Sequence, residues 1–189
     1  MLLRLLPLGL FILLTGCTLD AEGKRRPFSA YLLSWPKEGP SRPAPPTRGL
    51  DSAGRALRLE DQRGKVVLLS FWFSDCPPCR ALMPHEKKLV DTFPPDRFVL
   101  MGINADADLA RLRSMESKAQ LNYRSIADGN QGPVCTAWGV TSFPTFVLID
   151  ADGNVRWRHD GPADPAELEG RIAQLLKERP AAAARLASR

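Results

Sequence analysis

The stretch VVLLSFWFSDCPPCRALMPHEKKLVD, residues 66–91, decides the fold. Val66 to Phe73 is a near-continuous apolar run without polar alternation. It reads as a strand buried on both faces, and such strands belong to sheets covered by helices. From Pro77 to Asp91 helix formers dominate, so strand gives way to helix across Ser74, Asp75 and Cys76, with Pro84 predicting a kink. Working outward, Phe98 to Ile103 (FVLMGI) repeats the buried-strand pattern, and Asp106 to Gln120 has the composition and periodicity of a surface helix. Thr145 to Ile149 and Val155 to His159 flank Ala151, Asp152, Gly153 and Asn154, which predicts a hairpin closed by an Asp-Gly turn. Asp164 is placed to cap a last amphipathic helix from Pro165 to about Lys177, with proline at its first position. Upstream, Leu57 to Leu59 followed by Asp61 to Gly64 reads as a short strand and turn. The pattern alone predicts an α/β sandwich around a mixed sheet.

The length of 189 residues admits one globular core with appendages. Hydrophobic residues at 44% and charged residues at 25% exclude collagen-like, wholly disordered and polytopic membrane classes. The net charge of +5 comes from scattered Arg and Lys. Its densest run, Lys24 to Arg26, is short and carries no interleaved aromatics, so nucleic acid is not an expected partner. The 17 prolines exceed what a compact core absorbs, which predicts extended linker where they cluster.

They cluster near the N-terminus. Residues 1–16 (MLLRLLPLGLFILLTG) carry one early Arg and then an apolar stretch too short, and too interrupted by Pro7, to span a bilayer. This is a signal-peptide pattern, and Leu14, Thr15, Gly16, Cys17 resembles the lipobox of bacterial lipoproteins, in which the Cys carries the lipid. The other reading is an ordinary signal peptide with an incidental Cys; both predict export. Residues 17–48 are expected as a proline-rich tether, with Pro27, Pro36, Pro40, Pro43, Pro45 and Pro46 favouring extended chain. Phe28, Tyr31 and Trp35 interrupt it. The domain is expected over 49–178, and 179–189 as an Ala-rich flexible tail.

The chemistry is expected at Cys76-Pro77-Pro78-Cys79. Helix N-termini present unpaired N–H groups and a positive dipole end, which stabilise a thiolate. Cys76 is therefore the candidate nucleophile, and Cys79, one turn along, can attack a mixed disulfide on Cys76 and release the product. Half of a zinc site is a competing reading, with only Cys135, His85 and His159 as scattered further ligands, where zinc generally wants four. A structural bridge is another, although so small a loop adds little stability. The strand-to-helix context favours redox use.

With these residues in view the sequence resembles the thioredoxin superfamily and, within it, the membrane-anchored thiol–disulfide reductases of the TlpA/ResA type. The likeness rests on GKVV (Gly64 to Val67), Phe71-Trp72, CPPCR (Cys76 to Arg80) with Met83-Pro84, GINA (Gly102 to Ala105) and GVTSFPTFVLID (Gly139 to Asp150). It implies a thioredoxin-like fold, no cofactor and no metal, protein disulfides as substrates, and a membrane partner as electron donor. A lipidated Cys17 would add the bilayer itself as a partner. Phe143 and Pro144 would form the family's cis-proline loop, offering backbone to an extended substrate and shielding the two sulfurs from metal.

Two positions depart from the family. Asp75 stands where Trp is usual, and a carboxylate beside Cys76 opposes thiolate formation, which predicts a more reducing couple; the other reading is a solvent-facing Asp with negligible influence. Ser70 aligns with the buried acid that thioredoxin uses to deprotonate its second Cys, leaving that task to water or another carboxylate. Cys135 is expected as a small buried hydrophobe, His85 as a surface helix residue, His159 as a strand-end residue, and Trp72 as core packing first. The function these readings predict is an extracytoplasmic, lipid-anchored thiol–disulfide oxidoreductase that reduces protein disulfides. These residues do not set the direction of electron flow, so an oxidase or isomerase stays open, and the alternatives of another class are a copper-handling module of the same fold and a redoxin-type peroxidase.

Overall fold

The computed structural model describes residues 17–19, 25–27 and 42–178. The chain divides into two units, 1–35 and 36–189. In the first, Cys17–Leu19 pairs antiparallel with Arg25–Pro27. The expected signal peptide, the tail at 179–189 and the aromatic interruptions Phe28, Tyr31 and Trp35 lie outside the described residues. No helix among the described residues is long and apolar enough to cross a membrane.

In the second unit the strands are β1 (Arg42–Pro43), β2 (Arg48–Leu50), β3 (Ala56–Arg58), β4 (Val66–Trp72), β5 (Phe98–Asn104), β6 (Arg124–Ala127), β7 (Thr145–Ile149) and β8 (Asn154–Asp160). The helices are α1 (Pro77–Thr92), α2 (Leu109–Ala119), α3 (Pro133–Ala137) and α4 (Pro165–Lys177). Six strands form one mixed sheet in the order β1-β8-β7-β4-β5-β6. β4 runs parallel to β5 and antiparallel to β7, and β5 runs parallel to β6. β4 is central, and all seven of its residues are buried, which is why its sequence shows no alternation.

Val66 and Leu68 pack with Leu89 of α1 and with Leu168, Ile172 and Leu175 of α4. Phe71 faces the opposite side, edge-on to Trp138 at 6.2 Å between ring centroids. Burying a Leu or Phe of this kind contributes about 1.5–3 kcal/mol, so β4 and its covering helices dominate the core. α1 continues through Pro84 to Thr92. Asp108 and Asp164 cap α2 and α4 through the backbone N–H groups of Ala110 and Ala166.

Order begins earlier than the proline density suggested. Arg42–Pro43 pairs with β8, and Thr47 is fully buried, its hydroxyl accepting from Trp138 Nε1 at 2.8 Å. The last residues of the expected tether thus belong to the fold, because prolines at a sheet edge need no ladder N–H.

Asp51 fastens the β2–β3 hairpin to β6. Its carboxylate accepts from the backbone N–H groups of Ala53 and Arg55, from Arg55 Nε, and from Arg124 Nε at 2.8 Å. Burial alone would raise its pKa, but the Arg55 amide and the two guanidinium groups outweigh it and hold the carboxyl at about 2. A carboxyl held at about 2 instead of 3.8 contributes about 2 kcal/mol to native stability. With the native value depressed, that contribution is present above the unfolded value and is lost as pH falls through about 2. Asp51→Asn should therefore lower the unfolding free energy by about 2 kcal/mol at neutral pH, and urea titrations should show the gap between the two proteins closing below about pH 3. A gap that stays constant with pH would refute this electrostatic account.

Candidate active site

β4 delivers the chain to Cys76 through a pinned turn. Ser74 N–H and Oγ both bond the Asp106 carboxylate, the hydroxyl at 2.5 Å, and Asn104 Nδ2 holds the same carboxylate at 2.8 Å. Since Asn104 ends β5, the approach to Cys76 is tied to the neighbouring strand. Cys76 is then the N-cap of α1, with extended backbone at φ −85° and ψ 104°. Pro77 and Pro78, the first two helical residues, have no amide hydrogen. The first N–H that α1 offers is therefore that of Cys79, and it points at Cys76 Sγ over 3.2 Å. Cys76 and Cys79 are joined in a disulfide, their Cα atoms 5.3 Å apart.

The pair is almost wholly covered, Cys76 being 2% and Cys79 3% exposed. Trp72, Met83 and Leu112 pack around it, and the half-buried Phe73 and Phe143 lie against the same cluster. Those two rings meet edge to face at 5.2 Å. The Phe143–Pro144 peptide bond is cis, the form that the resemblance implied. The loop carrying it is anchored behind by Arg158, whose guanidinium bonds the Trp138 and Gly139 carbonyls and Asp160. Burial pushes Asp160 up, but Arg158 more than compensates and its pKa is lowered.

Asp75 is exposed, and its carboxylate is ion-paired with Arg111 of α2. The negative charge beside Cys76 thus has a countercharge that sequence inspection did not supply. Cys135 is buried and unpaired, with its thiol pKa pushed up by burial and by the neighbouring Asp128, which makes it a poor nucleophile. His159 stacks on Trp157 and meets the Pro162 carbonyl at 3.1 Å. His85 is half-buried, and its Nε2 has no partner among the described residues. Among those residues no three His, Cys, Asp or Glu side chains converge as metal ligands would.

Glu86 went unnoticed in the sequence. It is 3% exposed and accepts hydrogen bonds from Ser70 Oγ at 2.6 Å and from the Tyr123 hydroxyl. Burial raises its pKa, with those two bonds offsetting part of the rise. The signal was its position. Cys79, Met83, Glu86 and Leu89 form the buried stripe of α1, and a carboxylate on that stripe must find partners inside.

Comparison with known proteins agrees with this geometry. Residues 39–175 match the redoxin family. The thiol-disulfide oxidoreductase ResA of Halalkalibacterium halodurans is 29% identical over 111 residues, which cover 59% of this chain and 62% of the relative. The chain thus spans less than two thirds of that relative's length. Among solved structures, a Chlorobium tepidum protein described as a thiol:disulfide interchange protein DsbE is 28% identical with a TM-score of 0.67, covering 74% of this chain and 99% of its own. A secreted disulfide oxidoreductase of Mycobacterium tuberculosis, homologous to Escherichia coli DsbE, is 26% identical with a TM-score of 0.60, covering 68% of this chain and 95% of its own. With a Cys-x-x-Cys disulfide capping the helix after the central strand of a mixed six-stranded sheet, the chain belongs to the redoxin family, within the thioredoxin superfamily and alongside the TlpA/ResA-like thiol–disulfide oxidoreductases.

Proposed function

We propose that this protein is an extracytoplasmic thiol–disulfide oxidoreductase, held to a membrane by a lipid on Cys17, that reduces protein disulfides. One observation carries the chemistry: Cys76 caps α1 directly after β4, bridged to Cys79 and receiving the Cys79 amide on its sulfur. That N–H and the dipole end behind it favour the thiolate of Cys76 in the reduced protein. The thiolate attacks a substrate disulfide, Cys79 displaces the substrate from the mixed disulfide, and the bridge between the two cysteines is left behind. A dithiol donor in the membrane must then reduce it. The loop at Phe143 and Pro144 is the docking edge for extended substrate, with Phe143 covering the disulfide until substrate displaces it. The apolar leader ending in Cys17 supports export, as does the likeness to a secreted oxidoreductase.

The reduced protein should accelerate reduction of insulin disulfides, and Cys76→Ala should abolish this. Cys79→Ser should accumulate mixed disulfides on Cys76, visible as higher-mass species that collapse on adding dithiothreitol. Copper titration and peroxide consumption on the same sample separate this reading from a Cu(I) carrier and a peroxidase; tight copper binding or peroxide turnover without insulin reduction would replace it.

Asp75 and Arg111 set the potential between them. A thiolate that is better stabilised favours the dithiol form and raises the potential. Arg111→Ala, which leaves Asp75 unopposed, should make the couple more reducing in a glutathione titration; Asp75→Ala should make it less so. Identical potentials in all three proteins would remove this pair from the mechanism.

A further inference from the structure

We propose that Glu86 is the acid–base partner of Cys79, exchanging a proton with its thiol through Ser70 and an internal water that the Ser125 hydroxyl and the Trp72 indole N–H hold in place. The inference rests on the thiol–disulfide reading above and assigns within it the proton that the resolving step must move.

Glu86 and Cys79 share the buried stripe of α1, but seven residues of helix separate their backbones by about 10 Å. Something must lie between them. Ser70 and Trp72 stand two apart on β4 and so point to the same face. Ser70 holds Glu86, and Trp72 belongs to the buried cluster that contains both cysteines. Across the sheet Ser70 pairs with Gly102, and Gly102 with Ser125. A Cβ at Gly102 would collide with the Ser125 hydroxyl and stand 2.9 Å from Trp72 Nε1. The hydroxyl and the indole N–H therefore converge where a side chain is missing. Both residues are buried, and neither of these atoms has a hydrogen-bond partner among the described residues. A buried donor and a buried hydroxyl left without partners side by side need a shared one, and the proposal places a single internal water between them. Such a water links the Ser70–Glu86 pair to the underside of the disulfide.

The electrostatics suit the task. Tyr123 is bonded to Glu86 directly, its own pKa raised well above the ordinary value first by burial and then by Glu86. Glu116 of α2 acts on Tyr123 from beyond. Neither neighbour is a cation that would fix Glu86 in its charged form, so the carboxyl can hold or give up a proton inside the protein. In the resolving step the Cys79 S–H bond breaks and its proton passes to the Glu86 carboxylate. The sulfur electron pair forms the S–S bond to Cys76, and the bond from Cys76 to substrate breaks. Substrate leaves as a thiolate with that electron pair, reduced as the protein dithiol is oxidised.

Full-length reduced protein mixed with 5,5′-dithiobis(2-nitrobenzoate) releases thionitrobenzoate twice, first as Cys76 attacks and then as Cys79 resolves. Glu86→Gln should slow the second release about a hundredfold near pH 7, and the rate should recover as pH approaches the range where a thiol ionises unaided, about 8.5. Tyr123→Phe, which removes a bond to the charged carboxyl, should move the midpoint of the second phase to higher pH. Because the native pKa of Glu86 is raised, the stability linked to it is lost as pH rises; Glu86→Gln escapes this loss and should stay folded in the test range. If Glu86→Gln nevertheless unfolds, Tyr123→Phe carries the test. A second phase whose pH profile is the same in a folded variant as in the wild type overturns the proposal. Absence of both releases from the wild type would instead overturn the assignment of Cys76 as nucleophile.

Discussion

The site depends on a helix whose first available amide hydrogen belongs to Cys79. With prolines at the two preceding positions, the start of α1 cannot scatter its unpaired donors; the Cys79 N–H is directed at the Cys76 sulfur. The same prolines pre-set the backbone for helix, so the turn from β4 into α1 is made within Phe73 to Cys76. That turn is in turn fixed by Asp106, which receives Ser74 and Asn104 together. Sheet, turn and helix therefore act as one support under a single sulfur. Displacing Ser74 from Asp106 would loosen the turn that sets Cys76 against Cys79 without altering either cysteine chemically.

What could be read from the sequence follows from how local each cause is. β4, β5, α1, α4 and the β7–β8 hairpin announce themselves through burial patterns and caps contained in their own residues. β6 is only four residues long (Arg124–Ala127) and α3 only five (Pro133–Ala137), with too few positions to show a period. α3 starts because Asp128, several residues upstream, accepts the Val134 and Cys135 amides, which no pattern within the helix reveals. Likewise β1 exists because β8 offers it an edge. At the site, Cys76 and Cys79 were legible because their meaning comes from adjacency to a strand and a helix. Arg111 and Glu86 were not, since their partners lie 36 and 16 residues away in sequence.

In the role proposed for Glu86, the interior keeps a function while moving the atom that performs it. A carboxylate on the central strand would reach beneath the disulfide from the sheet; here the strand supplies only a hydroxyl and the helix supplies the acid. The exchange has a structural consequence. A serine leaves more space on that face, and the longer Glu86 side chain fills it while Tyr123 closes the other oxygen. Burying a carboxyl costs several kcal/mol unless it is neutral or hydrogen-bonded, and this arrangement does both by turns, with two hydroxyl donors serving the charged form.

Arg158 plays the matching role behind the loop of Phe143 and Pro144. It is buried and charged, a combination tolerated only when every donor is matched. Its guanidinium meets the Trp138 and Gly139 carbonyls and the Asp160 carboxylate, and Asp160 also accepts from Thr145 Oγ1, whose hydroxyl approaches the Ser142 carbonyl. Both ends of the segment from Trp138 to Thr145 are thus tied to one ion pair on β8. Between those ties Phe143 is held against Phe73 beside the buried cluster that contains the disulfide, so a loop next to the sulfurs is positioned by an ion pair on β8. A loop fixed in this way has little conformational freedom left to lose, so less binding free energy would go to immobilising it when a partner docks there.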